Sequence, residues 1–248
     1  MDLGIRGRTA AVAAGTAGLG LRTAQALANE GVKVVVCGRD EARLASALAD
    51  IGNGAQGFVC DVSTDAGGHE FVSQASEILG HVDILVANGG GPPPGGFADV
   101  AEALYAEALQ KNLLSVVAMC HGVVPGMRER KWGRVLAITS VAVRQPIANL
   151  ILSNTARAGV TGFLKTLARE VAADGVTVNT IQPGIHATDR ITQLYGGNVN
   201  GASLGIPAGV VGDAGDFGRI AAFMCSESAK FMTGVQLHID GGQYGALL

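Results

Sequence analysis

Charge is scarce in this sequence and nearly balanced: 16% of the 248 residues are Asp, Glu, Lys or Arg, and the formal net charge is −3. With no basic field and no Lys/Arg stripe interleaved with aromatics, nucleic acid has no electrostatic foothold. Cysteine is equally sparse. Cys37, Cys60, Cys120 and Cys225 are scattered through apolar runs and none forms a C-x-x-C pair. That pattern favours buried thiols in a reducing, cytoplasmic setting over disulfides or a thiolate metal centre. The histidines, His69, His81, His121, His186 and His238, lack ligand spacing such as H-E-x-x-H, so no metal is expected. No apolar run of bilayer-spanning length is free of Gly or charge, and residues 1–8 have none of the regions of a signal peptide, so no membrane partner is expected.

What is abundant is core material, 48% of the residues being hydrophobic. Short β-branched runs alternate with segments of helical period. The strand-like runs are Thr9–Ala13, Lys33–Cys37, Gly57–Cys60, Ile84–Ala87, Arg134–Thr139, Thr177–Gln182 and Val235–Ile239. Between them lie helical stretches at Leu19–Glu30, Glu41–Ala49, Gly68–Leu79, Ala101–Arg130, which has the length to hold a break, Asn149–Ala173 and Gly215–Ser226. Strands alternating with crossover helices predict an α/β fold, a doubly wound, mostly parallel seven-stranded sheet of Rossmann type with helices on both faces. No repeat or charged linker divides the chain, so residues 1–248 form one domain. The Gly- and Asn-rich stretch at about 189–212, interrupted by Tyr195 and Ile206, suits a mobile substrate lid.

Between the first strand and first helix runs Ala13-Ala14-Gly15-Thr16-Ala17-Gly18-Leu19-Gly20. A glycine-rich turn there lets backbone N–H groups and a helix N-terminus approach a pyrophosphate. Ala14 is expected to need only an ordinary backbone conformation. After the second strand comes Cys37-Gly38-Arg39-Asp40. The Arg39 guanidinium is suited to clamp a 2′-phosphate, which favours NADP(H) over NAD(H), while Asp40 is an alternative partner for the ribose. Asp61-Val62, Asn88-Gly89-Gly90 and Pro183-Gly184 fall at strand C-terminal ends, where open α/β sheets bind ligands, and Thr188 follows the last of these.

Taken in order along nearly the whole chain, these elements resemble the short-chain dehydrogenase/reductase family. Gly18 and Gly20 match its glycine turn, and Asn88-Gly89-Gly90 is similar to its N-N-A-G turn. Pro183-Gly184 with Thr188 resembles its P-G-x-x-x-T element beside the nicotinamide, and Asp61 matches the residue that binds the adenine amino group. The resemblance implies cofactor contacts from Ala14, Thr16, Ala17, Gly18, Leu19, Gly20, Arg39, Asp61, Val62, Asn88, Gly89, Gly90, Arg157, Pro183, Gly184 and Thr188. It also implies four catalytic positions. Asn112 and Ser140 match the family's Asn and Ser, but counting from Ser140 the Tyr-x-x-x-Lys pair falls on Ser153 and Arg157, in a register fixed by matching flanks. An aliphatic hydroxyl is a weaker acid and shorter than a phenol, and a guanidinium holds its proton. His186 and Tyr195 are conceivable replacement acids. The expected activity is that of an NADP(H)-dependent oxidoreductase acting on a carbonyl, alcohol or activated double bond, with the proton supplied by water or substrate. A non-redox dehydratase, isomerase or cyclase, and a silent nucleotide-binding protein, stay open as alternatives. A homotetramer is expected, on the ground that the apolar faces of the two long helical stretches exceed what one sheet covers.

Overall fold

The computed structural model describes residues 2–189, 191–192 and 200–247. Seven strands, β1 (Thr9–Val12), β2 (Lys33–Gly38), β3 (Gln56–Val59), β4 (Ile84–Ala87), β5 (Gly133–Ile138), β6 (Val176–Pro183) and β7 (Gln236–Ile239), form one sheet in the order β3-β2-β1-β4-β5-β6-β7. Every neighbouring pair is parallel. Side chains alternate across a strand. Ala11, Val35, Leu85 and Val135 therefore face one side, and Ala10, Val34, Ile84 and Leu136 the other. The first set is covered by α3 (Asp65–Leu79), α5 (Ser115–Glu129) and α6 (Ile151–Val171), the second by α1 (Gly18–Asn29), α2 (Glu41–Ile51) and α7 (Ala214–Met224). A short helix, α4 (Ala103–Leu109), rests on α6 through Ala108, Leu152 and Ala156. The contact of α1 with α7 requires a missing side chain. A Cβ on Gly218 would lie 2.3 Å from the Arg22 carbonyl oxygen.

Several boundaries differ from the sequence expectation for identifiable reasons. The third helix begins at Asp65 rather than Gly68, because Thr64 Oγ1 accepts from Gly67 N at 3.0 Å and caps it there. The long Ala101–Arg130 stretch resolves into α4, a π-helical turn at Gln110–Leu114, and α5.

The N-terminal edge of the sheet is closed by a charged staple. Arg134, 2% exposed, donates to the carbonyls of Gly133 (2.9 Å), Gly175 (3.3 Å) and Ser226 (3.3 Å) and to Glu227 Oε2 at 3.4 Å. Trp132 Nε1 donates to the same carboxylate at 3.0 Å, and the guanidiniums of Arg8 and Arg134 lie 3.9 and 4.2 Å from the Trp132 ring centre. The Trp132 hydrogen bond and then the Arg134 charge hold the Glu227 carboxyl below its usual range.

Candidate active site

At the opposite edge, the C-terminal ends of β1, β2, β3 and β4 open onto a cleft of about 560 Å³. The chain leaves β1 in a tight turn, with Gly15 N bonded to the Cys37 carbonyl at 3.0 Å. Ala14 does not take an ordinary conformation there. Its φ is +46°, in the left-handed region that suits glycine, where the Cβ crowds the backbone. The side-chain amide of Asn88, beyond β4, clamps the turn by donating to the carbonyls of Ala13 and Ala14, both at 3.2 Å. That clamp dictates Gly20, because a Cβ there would stand 2.5 Å from Asn88 Nδ2 and 2.8 Å from the Ala14 oxygen. Leu19 anchors α1 against the core face that holds Leu27.

The start of α1 is left open. Ala17 at its N-cap provides no side-chain hydrogen bond, and the first turn carries no acidic residue. Uncapped N–H groups at the positive end of a helix suit an anion. Thr188, beyond Pro183-Gly184 at the end of β6, reaches over this point, its Cγ2 3.7 Å from where a Cβ on Gly18 would stand.

Thr16, Ala17, Arg39, Asp61 and Val62 line the outer part of the cleft. Arg39 Nη1 lies 3.9 Å from Asp61 Oδ2, both side chains being largely exposed. Asp40 is engaged elsewhere. Its Oδ1 accepts from Arg43 N at 2.7 Å and caps α2. Arg43, in the first turn of α2, lines the same cleft as Arg39, a second cation that reads in sequence as an ordinary helix-surface residue.

Gly89 and Gly90 lead inward to a narrow crevice lined by Asn88, Lys111, Asn112, Thr139 and Arg157. Asn112 lies in the π-helical turn, a local irregularity common at functional sites. Its Nδ2 donates to the Gly90 carbonyl at 3.1 Å, while Oδ1 is buried without a hydrogen-bond partner among the described residues. Ser140, just past β5, has an extended backbone and accepts from Ala142 N at 3.1 Å. Arg157 joins α6 to the sheet. Its Nε donates to Ser153 Oγ at 3.2 Å and its Nη1 to the Ile138 carbonyl at 3.2 Å. Ser153 is 8% exposed, so the pair is a largely buried, charge-assisted contact. Lys111, which lines both cleft and crevice, carried no sequence signal.

His186 belongs to packing rather than to an acid role. It is 4% exposed, its ring edge meets Phe217 at 5.2 Å between centroids, and burial holds its pKa below the usual value. Tyr195 lies outside the described residues, as do 190 and 193–199 of the expected lid. In its described part, Ala208 N donates to Gly241 O and Gly212 N to Ile185 O, each at 3.0 Å. Among the described residues no group of three or more His, Cys, Asp or Glu comes together, and no helix is long and apolar enough to cross a membrane.

An open parallel sheet with a glycine turn, an uncapped helix start and a cleft over its strand ends is a dinucleotide-binding architecture. Comparison with known proteins agrees. A family profile described as Enoyl-(Acyl carrier protein) reductase matches residues 13–243. The 3-oxoacyl-(acyl-carrier-protein) reductase of Haemophilus influenzae is 32% identical over 240 residues, spanning 97% of this chain and 99% of its own. The chain belongs to the short-chain dehydrogenase/reductase family. Among solved structures, the L-sorbose reductase of Gluconobacter frateurii, complexed with NADPH and L-sorbose, superposes with a TM-score of 0.91 at 28% identity, over the whole of both chains. A short-chain oxidoreductase of Pseudomonas aeruginosa PAO1, described as containing an atypical catalytic center, gives 0.89 at 26% identity, covering 96% of this chain and 98% of its own.

Proposed function

We propose that this protein is an NADP(H)-dependent oxidoreductase interconverting a carbonyl and an alcohol, with Ser153 and Arg157 standing where the family carries Tyr and Lys. The observation that carries this reading is the Arg157 bridge from Ser153 Oγ to the Ile138 carbonyl, beside Asn112 and at the foot of the cleft. The reductase relatives, and the NADPH complexes of L-sorbose reductase and of actinorhodin polyketide ketoreductase, support the reaction class and the cofactor.

The residues present fit the dinucleotide. The turn from Ala14 through Thr16, Ala17, Gly18 and Leu19 to Gly20, with the uncapped start of α1, would hold the pyrophosphate. Arg39 and Arg43 would hold a 2′-phosphate, and Asp61 and Val62 the adenine. Asn88, Gly89, Gly90, Arg157, Pro183, Gly184 and Thr188 would hold the nicotinamide riboside. When bound, the reduced nicotinamide supplies the hydride.

The chain's own groups act on the substrate oxygen. A hydroxyl that accepts from a guanidinium is polarised and becomes a better donor, so Ser153, together with Ser140, binds that oxygen while Arg157 stabilises its developing negative charge. Arg157 keeps its proton, and Ser153 is too weak an acid to replace a phenol, so water or substrate supplies the proton. Asn112 Oδ1 is the buried acceptor that orders a water or hydroxyl nearby.

A homotetramer of two-fold symmetry completes the proposal. Its ground shifts from the expected apolar excess, because the large apolar residues of α5 and α6 face the sheet. Midway along α6 the exposed residues Ala158, Gly159 and Gly162 are small, which lets another copy's helix approach closely there, while Lys165, Thr166, Arg169 and Glu170 are exposed toward its C-terminal end. Light scattering that gives a monomer at all concentrations contradicts it. Activity is tested by titrating NADPH and NADP⁺ and then following reduced-nicotinamide absorbance against a panel of ketones and alcohols. Substrate-dependent turnover is expected. Tight cofactor binding without turnover on any carbonyl or alcohol contradicts the reading.

A further inference from the structure

His186 lines neither the cleft nor the crevice, yet it holds a strap of chain that reaches the cofactor end of the sheet. The strap begins where the chain leaves β6, tied to the end of β7 by Gly184 N, which donates to the Ile239 carbonyl at 2.9 Å. Two residues on, His186 pairs with Gly212 in a parallel bridge, with Ala187 N donating to Gly212 O at 2.8 Å and Gly212 N to Ile185 O at 3.0 Å. Two residues further, Thr188 stands over the start of α1.

The imidazole occupies the space that Gly212 leaves. A Cβ on Gly212 would lie 2.7 Å from His186 Cδ2 and 2.8 Å from Nε2. The ring also meets Phe217 in a T-shaped contact, and Phe217 is fixed in turn, being fully buried in α7 beside the Gly218 that packs on the Arg22 carbonyl of α1. His186 Nδ1 lies 3.3 Å from the Gly184 carbonyl; a carbonyl only accepts, so Nδ1 carries the hydrogen. Three neighbours therefore hold one ring. His186 turns toward α7 and Thr188 toward α1, the helices that cover the same face of the sheet, so a shift of the ring moves Thr188 relative to the open helix start.

We propose that His186 is a positioning residue for dinucleotide binding. Its ring, wedged between Gly212 and Phe217, fixes the strap Ile185–Thr188 so that Thr188 meets the cofactor between its pyrophosphate and its nicotinamide riboside. His186 acts through Thr188 and through the bridge to Gly212, and takes no part in proton transfer. Its role in binding rests on the cofactor reading proposed above.

Affinity and amide exchange test the proposal together. His186→Ala should raise the NADPH dissociation constant about 10-fold, and Gly212→Ala, whose methyl would strike the ring, should do the same. His186→Phe keeps a ring of similar shape and should hold affinity within about 2-fold of the native value. Thr188→Ala should weaken binding in the native background but add no more than about 2-fold in the His186→Ala background, because both act through one contact. In the cofactor-free protein, His186→Ala should speed exchange at the Ala187 and Gly212 amides, while Thr139 N, bonded to the Ile181 carbonyl within the sheet, stays slow. Circular dichroism confirms that the variants fold. Unchanged NADPH affinity in both His186→Ala and Gly212→Ala, or fully additive losses with Thr188→Ala, overturns the proposal. So does exchange that rises throughout the sheet, which would make His186 an ordinary core residue. Absence of NADPH binding by the native protein fails the functional reading and the strap's part in it, and the exchange pattern then decides alone whether His186 holds the strap.

Discussion

The two edges of one sheet are built on opposite rules. At the N-terminal edge, buried charges meet opposite charges: Arg134 donates to three carbonyls and a carboxylate, and Asp83 lies among Arg8, Arg130 and His81. At the C-terminal edge, local rules are broken within a short span. Ala14 holds a left-handed backbone, α1 begins without a cap, a helix passes through a π turn, and Asn112 Oδ1 is buried without a partner. Departures of this kind concentrate where binding groups must be left available, and the surrounding structure holds them in place. One edge stabilises the fold, and the other is organised for ligands.

That contrast is broken most severely at Arg134. Arg134→Ala should cost about 3 kcal/mol in urea unfolding, because it deletes a buried cation with its hydrogen bonds, while NADPH affinity at the far edge stays unchanged. A comparable loss of affinity would show that the edges are coupled. Arg39→Ala should act in the converse way, weakening NADPH relative to NADH by roughly 1.5 to 3 kcal/mol with stability unchanged. Equal losses for both cofactors would remove the basis for the 2′-phosphate assignment.

Acid should sharpen the comparison further. Burial, the largest cause in each, depresses the pKa of His186 and of His238 below the ordinary 6.5 against a smaller opposing effect of Asp240, and Glu227 is depressed below 4.5. In each case the unfolded chain takes up protons first. Stability is therefore full above about pH 7, falls as pH drops through 6.5 toward the folded histidine values, and falls again below 4.5 as the Glu227 contribution is lost. His186→Phe should flatten the upper part of that curve, and an unchanged slope would exclude His186 as its source. The smallest effect is expected at Ala14, where Ala14→Gly should raise stability by about 0.5 to 1 kcal/mol through relief of the left-handed backbone. Destabilisation there would mean that the alanine methyl contributes packing.

The architecture was legible because β-branched runs and helical periods alternate without interruption, and the placement of Ser153 and Arg157 was legible because i and i+4 share a helix face. Their 3.2 Å hydrogen bond is the physical form of that spacing. The strain at Ala14 left no trace, since alanine is the residue least suggestive of a special backbone. Arg43 and Lys111 were missed for a different reason. Each reads as a solvated helix residue, and only the tertiary approach of α2 to β3, and of the π turn to Gly89 and Gly90, turns them toward the cleft. The burial of His186 depends on Phe217 in α7, distant in sequence and invisible to any local pattern.

The central claim is that Ser153 and Arg157 are a working pair rather than a damaged one, and the double substitution Ser153→Tyr with Arg157→Lys tests it most directly. Turnover of the carbonyl that the native protein reduces best, and of simple ketones, would be compared in the native protein, both single variants and the double variant. The account predicts that native turnover is abolished in the double variant, because the phenol fills the buried space around Ser153 Oγ and the guanidinium bridge to Ile138 is gone. Native turnover that survives unchanged with Tyr in place, or simple-ketone reduction rising by about 10²- to 10⁴-fold, as a restored general acid would give, contradicts it.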